Sequence, residues 1–255
     1  MKLVDIIKCN LINLKSFLFR KKHRVSLYKN IFRITDANKD EIYIARLNRH
    51  NRYKKSINTG VDLLAKDYLI DKLVFSKDDL IVDCGANVGE LAYWAKKKSL
   101  NYIGFEPEEN EFKCLGLNSS DKFNIFRNAL WNKNEELTFY SLPNSGDSSA
   151  FEINNPISRF KIQGKRLDQM IKIKDYSGLK VLKVEAEGAE PEVLEGAINI
   201  INDFDYITVD CGPERGMSQD YTFIPINSFL INLDFKLVDC NFDRVTMLYK
   251  NTKKQ

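Results

Sequence analysis

From Asp79 onward, short β-rich apolar runs alternate with runs of helical periodicity, and this rhythm restricts the chain more than any other feature. Strands are expected at 80–83, 101–106, 123–127, 136–141, 179–185, 205–210, 234–240 and 243–249, and helices at 88–98, 108–118, 189–201 and 225–232. Alternation of this kind implies a parallel sheet covered by helices on both faces. Only Asn241-Phe242 separates the last two strands. That gap is too short for a crossover helix, so the final strand must run antiparallel. The predicted fold class is α/β, with a mostly parallel sheet, an antiparallel final strand and an N-terminal helix and β-hairpin extension.

The extension is residues 1–75 and the α/β domain residues 76–255. The first 75 residues carry 17 Lys and Arg against 7 Asp and Glu, and the remainder 22 against 28. A basic leading segment on a mildly acidic body argues against a whole-protein nucleic-acid surface. Leu3, Ile7, Leu11, Leu14 and Leu18 recur at helical spacing, with Ile6 and Phe17 beside them, and Arg20-Lys21-Lys22-His23-Arg24 follows. Asp5, Lys8 and Lys15 interrupt the run, so it is neither a transmembrane span nor a signal peptide. Two readings stand. The favoured one is a helix packed on the domain with a solvated charged end. The alternative is a helix lying on an anionic membrane, peripheral to its inner face. A hairpin is expected from Leu27–Thr35 and Glu41–Leu47 around Asp36-Ala37-Asn38-Lys39-Asp40, then a helix near 61–74. Five cysteines without metal-ligand spacing or a secretory signal point to a reducing, cytoplasmic compartment. With His23 and His50 the only histidines, chemistry needing a histidine cluster is nearly excluded.

The first strand of the alternation ends at Asp83, and Cys84-Gly85-Ala86-Asn87-Val88-Gly89 leads into a helix. Ligands bind in such sheets at the carboxyl ends of the strands. Gly85 and Gly89 permit a tight turn and close approach of a cofactor. The G-x-x-x-G spacing is sparser than a dinucleotide pyrophosphate wants. Asp83 beside it suits a cofactor with a cationic end, such as the amino group of S-adenosylmethionine. Glu106, closing the second strand, is placed to accept both hydroxyl protons of a ribose.

These blocks resemble the FkbM family of S-adenosylmethionine-dependent methyltransferases. The likeness spans about 79–250, through Val82 to Gly89, Gly104-Phe105-Glu106-Pro107, Asn128-Ala129-Leu130-Trp131, Arg166-Leu167-Asp168, and Leu182 to Glu190 leading into Val193-Leu194-Glu195-Gly196-Ala197. The commoner form of the Leu182–Glu190 block has Asp where Glu185 stands. The resemblance implies a Rossmann-like class I methyltransferase fold, with a mostly parallel seven-stranded sheet, and O-methylation, usually of a sugar, glycan or natural-product intermediate, with S-adenosylmethionine as donor. It makes Asp83, Gly85, Asn87, Gly89 and Glu106 cofactor residues, joined by Ala86 of the same turn, and sets Asn128 and Ala129 near the adenine. The acceptor is expected to be a sugar hydroxyl in a glycan, nucleotide-sugar or surface-polysaccharide intermediate. A nucleic-acid methyltransferase and a non-catalytic cofactor-binding scaffold are the rivals. Against the first, the chain lacks an Asn/Asp-Pro-Pro-aromatic run.

A sugar hydroxyl gains from a general base. Glu185, Glu187 and Glu190 crowd one turn, and clustered carboxylates raise one another's pKa. Glu190 is expected to cap the helix opened at Pro191, and Glu185 and Glu187 are the catalytic candidates. Ligation of a divalent cation by carboxylates at 185, 187 and 210 is a minor alternative, and no metal is assigned. The 210–216 segment is expected at the same sheet edge, and 143–149 as a loop over the pocket.

Overall fold

A computed structural model describes residues 2–19, 23–141, 148–152, 156 and 158–254. Helix α1 (Lys2–Leu18) is followed by an antiparallel meander of β1 (Arg24–Tyr28), β2 (Ile31–Thr35) and β3 (Glu41–Ile44). The strand expected at Leu27–Thr35 is therefore two. Lys29, at φ 54°, reverses the chain and Tyr28 pairs with Ile31. A left-handed lysine makes this turn without glycine, so the composition concealed it.

α1 forms where its spacing predicts, but its apolar stripe does not face the domain. Cys9 and Ser16 are buried, and Asn13 exchanges two hydrogen bonds with the Val25 backbone. Leu3, Leu14 and Phe17 are 71%, 55% and 79% exposed. The helix is packed on the meander, but through the face of Cys9, Asn13 and Ser16 and not through its apolar stripe, because periodicity defines a stripe without saying what covers it. Of the basic cluster, residues 20–22 lie outside the described residues.

Helix α2 (Ile57–Asp67) starts at Ser56, whose hydroxyl accepts from the Thr59 N–H, and Leu69 in the left-handed region ends it well before residue 74. Then come β4 (Leu80–Cys84), α3 (Glu90–Lys97), β5 (Asn101–Phe105), α4 (Glu109–Asn118) and β6 (Asn124–Phe126). Four strands follow outside the main sheet: β7 (Ala129–Leu130), β8 (Glu135–Ser141), β9 (Ser148–Ser149) and β10 (Ser158–Lys165). The remaining elements are α5 (Leu167–Met170), β11 (Lys180–Val184), α6 (Glu190–Glu195), β12 (Tyr206–Asp210), β13 (Pro213–Arg215), β14 (Asp220–Tyr221), α7 (Phe223–Asn232), β15 (Phe235–Asn241) and β16 (Thr246–Asn251).

The main sheet has seven strands ordered β15-β16-β12-β11-β4-β5-β6, all parallel except β16, which is antiparallel to both neighbours. Numbered within the sheet, the order is 3-2-1-4-5-7-6, so the expected topology is present. The strand expected at 136–141 belongs instead to the small sheet, paired antiparallel with β10. The helix expected at 189–201 stops at Glu195; the Gly196 carbonyl accepts the Asp168 N–H, and a Cβ at Gly196 would collide with Trp131 O.

Alternation along β4 sends Ile81 into one core and Leu80, Val82 and Cys84 into the other. The first core runs without interruption from the meander and α2 to α3 and α4. Asn118 fastens the extension to it. Its amide oxygen accepts the Tyr43 N–H at 2.8 Å, and its amide nitrogen donates to Tyr43 O and Val88 O at 2.8 and 2.7 Å. This anchoring sets the 47–53 turn of 3-10 helix beside the carboxyl ends of the strands.

Candidate active site

The strand order reverses between β4 and β11, and the crevice that such a reversal opens is where α/β sheets bind ligands. A cleft lies there, lined by Gly85, Asn87, Glu106 and Glu108, by Asn128, Ala129, Leu130 and Phe139, and by Ser148, Glu185 and Glu187 among others. Asn87 sits at φ 50°, and its N–H donates to Glu106 Oε2 at 2.8 Å. Glu106 Oε1 accepts the Glu108 N–H, also at 2.8 Å. Each carboxylate oxygen therefore keeps a lone pair for the cleft. Burial pushes the Glu106 carboxyl up to about 8 even against these two donors.

The glycines are required for a different reason from the one expected. Gly85 has φ 79°, and a Cβ on it would stand 1.9 Å from Glu185 O, so the ends of β4 and β11 could not close. Gly89 has φ 85° and packs against Leu115 of α4. It starts α3, turned toward α4 and outside the lining of the cleft. The Gly85 and Ala86 N–H groups are both spent on Phe105 O.

Behind this turn runs a chain of alternating charges. Lys183 Nζ lies 3.0 Å from Asp83 Oδ1 and 3.2 Å from Glu185 Oε2, and donates to Gly85 O at 2.7 Å. Arg244 pairs with Glu185 Oε1 and, through Nε at 2.9 Å, with Asp210 Oδ2. Tyr102 donates to Asp83 Oδ2 at 2.7 Å. The buried Tyr68 ring lies 4.8 Å from both cations, and its hydroxyl accepts from Arg244 at 2.7 Å. Burial would raise Glu185, but Lys183 and Arg244 outweigh it and hold the carboxyl near 2. The expectation that crowding tunes Glu185 as a neutral-pH base is thereby corrected, since cations surround it more closely than carboxylates do. Asp83 likewise has internal partners.

Glu187 lines the cleft at φ 49°, and its carbonyl accepts the Ser149 hydroxyl at 2.8 Å. Glu190 reaches back rather than capping α6: its Oε1 accepts the Ala186 and Gly188 N–H groups at 2.8 and 3.1 Å, tying the 185–189 turn. Among the described residues no group of three His, Cys, Asp or Glu could hold a metal. Between Glu185 and Asp210, Arg244 supplies the positive charge that the metal alternative required. Asn128 and Ala129 stand on the cleft wall. Of the 143–149 segment, 143–147 fall outside the described residues; Ser148 and Ser149 form β9.

Several contributors were not anticipated. Glu108 accepts from Arg46, Ser141 and Ser148, joining the extension and the small sheet to the cleft. Glu214 flanks Gly212 opposite Asp210. Burial pushes its carboxyl up to about 8, with Asp210, Glu185 and Glu190 adding to the effect. Arg49 and Arg52 approach the site from the extension. A basic stretch at 49–55 was the only sequence signal for these two, and Tyr68 gave none.

The Methyltransferase FkbM domain model matches residues 83–237. The chain belongs to that family. Methyltransferases of this family use S-adenosylmethionine, and the protein is a methyltransferase dependent on it. A comparison with curated protein sequences gives no match. Among solved structures, the chain is similar to magnesium protoporphyrin IX methyltransferase (ChlM) from Synechocystis PCC 6803 with bound SAM, at 10% identity over 75% of this chain and 78% of that one, TM-score 0.44. It is also similar to P. horikoshii TYW2 in complex with MeSAdo, at 12% identity over 98% and 83%, TM-score 0.46.

The cleft fits S-adenosylmethionine by the chemistry of its walls. Ala129, Leu130 and Phe139 offer an apolar slot for the base, and Glu106 presents two acceptors to a ribose diol. Bound there, the cofactor supplies a methyl group activated on a sulfonium.

Proposed function

We propose that this methyltransferase alkylates a hydroxyl of a sugar in a glycan or other surface-polysaccharide intermediate. The observation that carries this reading is the acceptor-rich lining of the cleft. Among its described lining residues stand Glu106, Glu108, Glu185 and Glu187, and no Lys or Arg. Such a wall accepts hydrogen bonds from a neutral polyol and offers no cationic side chain to the phosphates of a nucleic acid. With Glu106 on the ribose, Glu187 is the acceptor-side carboxylate. It takes the hydroxyl proton as the oxygen forms its bond to the methyl carbon and the carbon–sulfur bond breaks. Glu185, ionised throughout, fixes the turn that holds Glu187. A positioned base contributes about 10² to 10⁴ in rate. Glu187→Gln is expected to lower turnover on sugar acceptors by roughly that factor with S-adenosylmethionine affinity little changed. Equal losses in both, or methyl transfer to RNA in place of sugars, would sink the reading.

The same reading includes an anionic membrane as the surface on which the protein works. No helix among the described residues is long and apolar enough to cross a membrane. α1 nonetheless exposes Leu3, Ile7, Leu11, Leu14, Phe17 and Leu18, with Lys8 and Lys15 exposed among them. An apolar stripe bearing cations suits the interface of an anionic bilayer. The full chain should float with vesicles containing phosphatidylglycerol and much less with phosphatidylcholine alone, and Leu11→Asp with Leu14→Asp should abolish flotation. Equal flotation with both lipids, or none, overturns the membrane contact.

A further inference from the structure

Leu130 and Ala150 both line the cleft, and each is followed by a half-buried aromatic, Trp131 and Phe151. The two rings pack together, their centroids 5.9 Å apart and their planes at 54°. Arg215 of β13 also lies on Phe151, its guanidinium 4.2 Å from the ring centroid. This row is fixed to the turn that carries Glu187. Arg215 Nη1 donates to Gly188 O at 2.7 Å, and a Cβ on Gly188 would stand 2.5 Å from Arg215 Cα. Both terminal nitrogens of Arg215 also donate to Glu192, at 2.8 and 2.6 Å. From the small sheet, the Ser149 hydroxyl donates to Glu187 O at 2.8 Å and accepts the Phe151 N–H at 3.1 Å. Arg215 and Phe151 are therefore tied to the backbone of residues 187 and 188, and Trp131 stands one ring further along the row.

The indole N–H of Trp131 donates to Glu135 Oε1 at 2.9 Å, which fixes the ring plane while the side chain stays partly open to solvent. A planar ring held this way beside a cleft is a platform for a sugar. The axial C–H bonds of a pyranose form an apolar, slightly positive face, and the face of an indole is apolar and slightly negative. We propose that Trp131 is a second sugar subsite, which seats the pyranose next to the methylated unit of an acceptor chain. The inference rests on the sugar-acceptor reading and narrows it. The acceptor is an oligosaccharide or a longer glycan, whereas a single sugar unit leaves the Trp131 platform empty. Phe151 and Arg215 are positioning residues that hold the indole at a fixed place relative to Glu187.

Methyl glycosides of the common hexoses carry one ring and the matching di- and trisaccharides carry more, so transfer of labelled methyl from S-adenosylmethionine to both sets separates the two subsites. The full wild-type chain should have the lower KM for the longer acceptors. Trp131→Ala should raise that KM by roughly 3- to 10-fold, and leave kcat and the single-ring kcat/KM within about twofold. Trp131→Phe keeps an aromatic face and should retain most of the preference for longer acceptors. Trp131→Leu keeps apolar bulk without that face, and should show the alanine loss should the alanine variant fail to fold. Calorimetric binding of S-adenosylhomocysteine reports that each variant is folded. Equal losses on one-ring and longer acceptors, or no loss on the longer ones, overturn the proposal. Wild-type protein that methylates no sugar of any length would point to a failed sugar-acceptor reading, an outcome distinct from these.

Discussion

Glu106 and Glu185 close strands on either side of β4, and both lose water, yet their protons behave oppositely. Glu106 meets only backbone donors, from Asn87 and Glu108, and burial lifts it to about 8. Glu185 meets Lys183 and Arg244, and these hold it near 2. Two backbone N–H groups partly offset desolvation, whereas two cations reverse it. One edge of the sheet thus carries a carboxyl that titrates near neutrality beside one that stays ionised there. The first suits a ligand's hydroxyl protons, and the second suits a permanently charged brace.

Removing the brace's central cation should have the largest effect. Lys183 is buried between Asp83 and Glu185 and also holds Gly85 O. Lys183→Met should destabilise the fold by about 3–5 kcal/mol, since it strands buried charges, and chemical denaturation should show it as a lower midpoint. A loss under 1 kcal/mol would mean that Asp83 and Glu185 find water instead, and the contrast with Glu106 would collapse. On the other side, Glu106→Ala should cost little stability but weaken S-adenosylmethionine by about 1.5–3 kcal/mol, the worth of hydrogen bonds to a charged acceptor. Calorimetry reads this directly. Unchanged affinity would remove Glu106 from the ribose.

How much of this contrast the sequence carried depends on distance along the chain. The strand ends at Asp83, Glu106 and Glu185 were legible because periodicity and glycine placement are local. Glu106 was expected where it stands for that reason. The sign of Glu185 was not, because Arg244 arrives from a turn 59 residues away and Tyr68 from before the first strand of the sheet. The small sheet was half legible. β8 reads as a strand, but its partner β10 is largely exposed, and its Ser-Arg-Phe-Lys-Ile-Gln-Gly-Lys sequence carries polar side chains at most positions. Gly85 and Gly89 were located correctly, but Gly85 answers to Glu185 O and Gly89 to Leu115, contacts that a single sequence cannot display.

The smallest effect sharpens the comparison most, because it counts protons. A carboxyl whose folded pKa is raised favours the fold below its ordinary value, near 4.5, and loses that contribution as pH rises through the raised one. Glu106 at about 8, with Glu190 at about 7 and Glu214 at about 8, should therefore make the ligand-free protein less stable at pH 9 than at pH 6. Glu185, near 2, contributes nothing in that window. Ribose hydroxyls donating to Glu106 favour its ionised form, so at pH 7 cofactor binding should release part of a proton. Calorimetric enthalpies measured in buffers of different ionisation heat would read this release, and Glu106→Gln should abolish it. Release that persists in Glu106→Gln would move the titrating group elsewhere, with Glu214 the first candidate. Its absence in the wild type would mean that the two backbone donors already hold Glu106 ionised, leaving the two carboxylates alike.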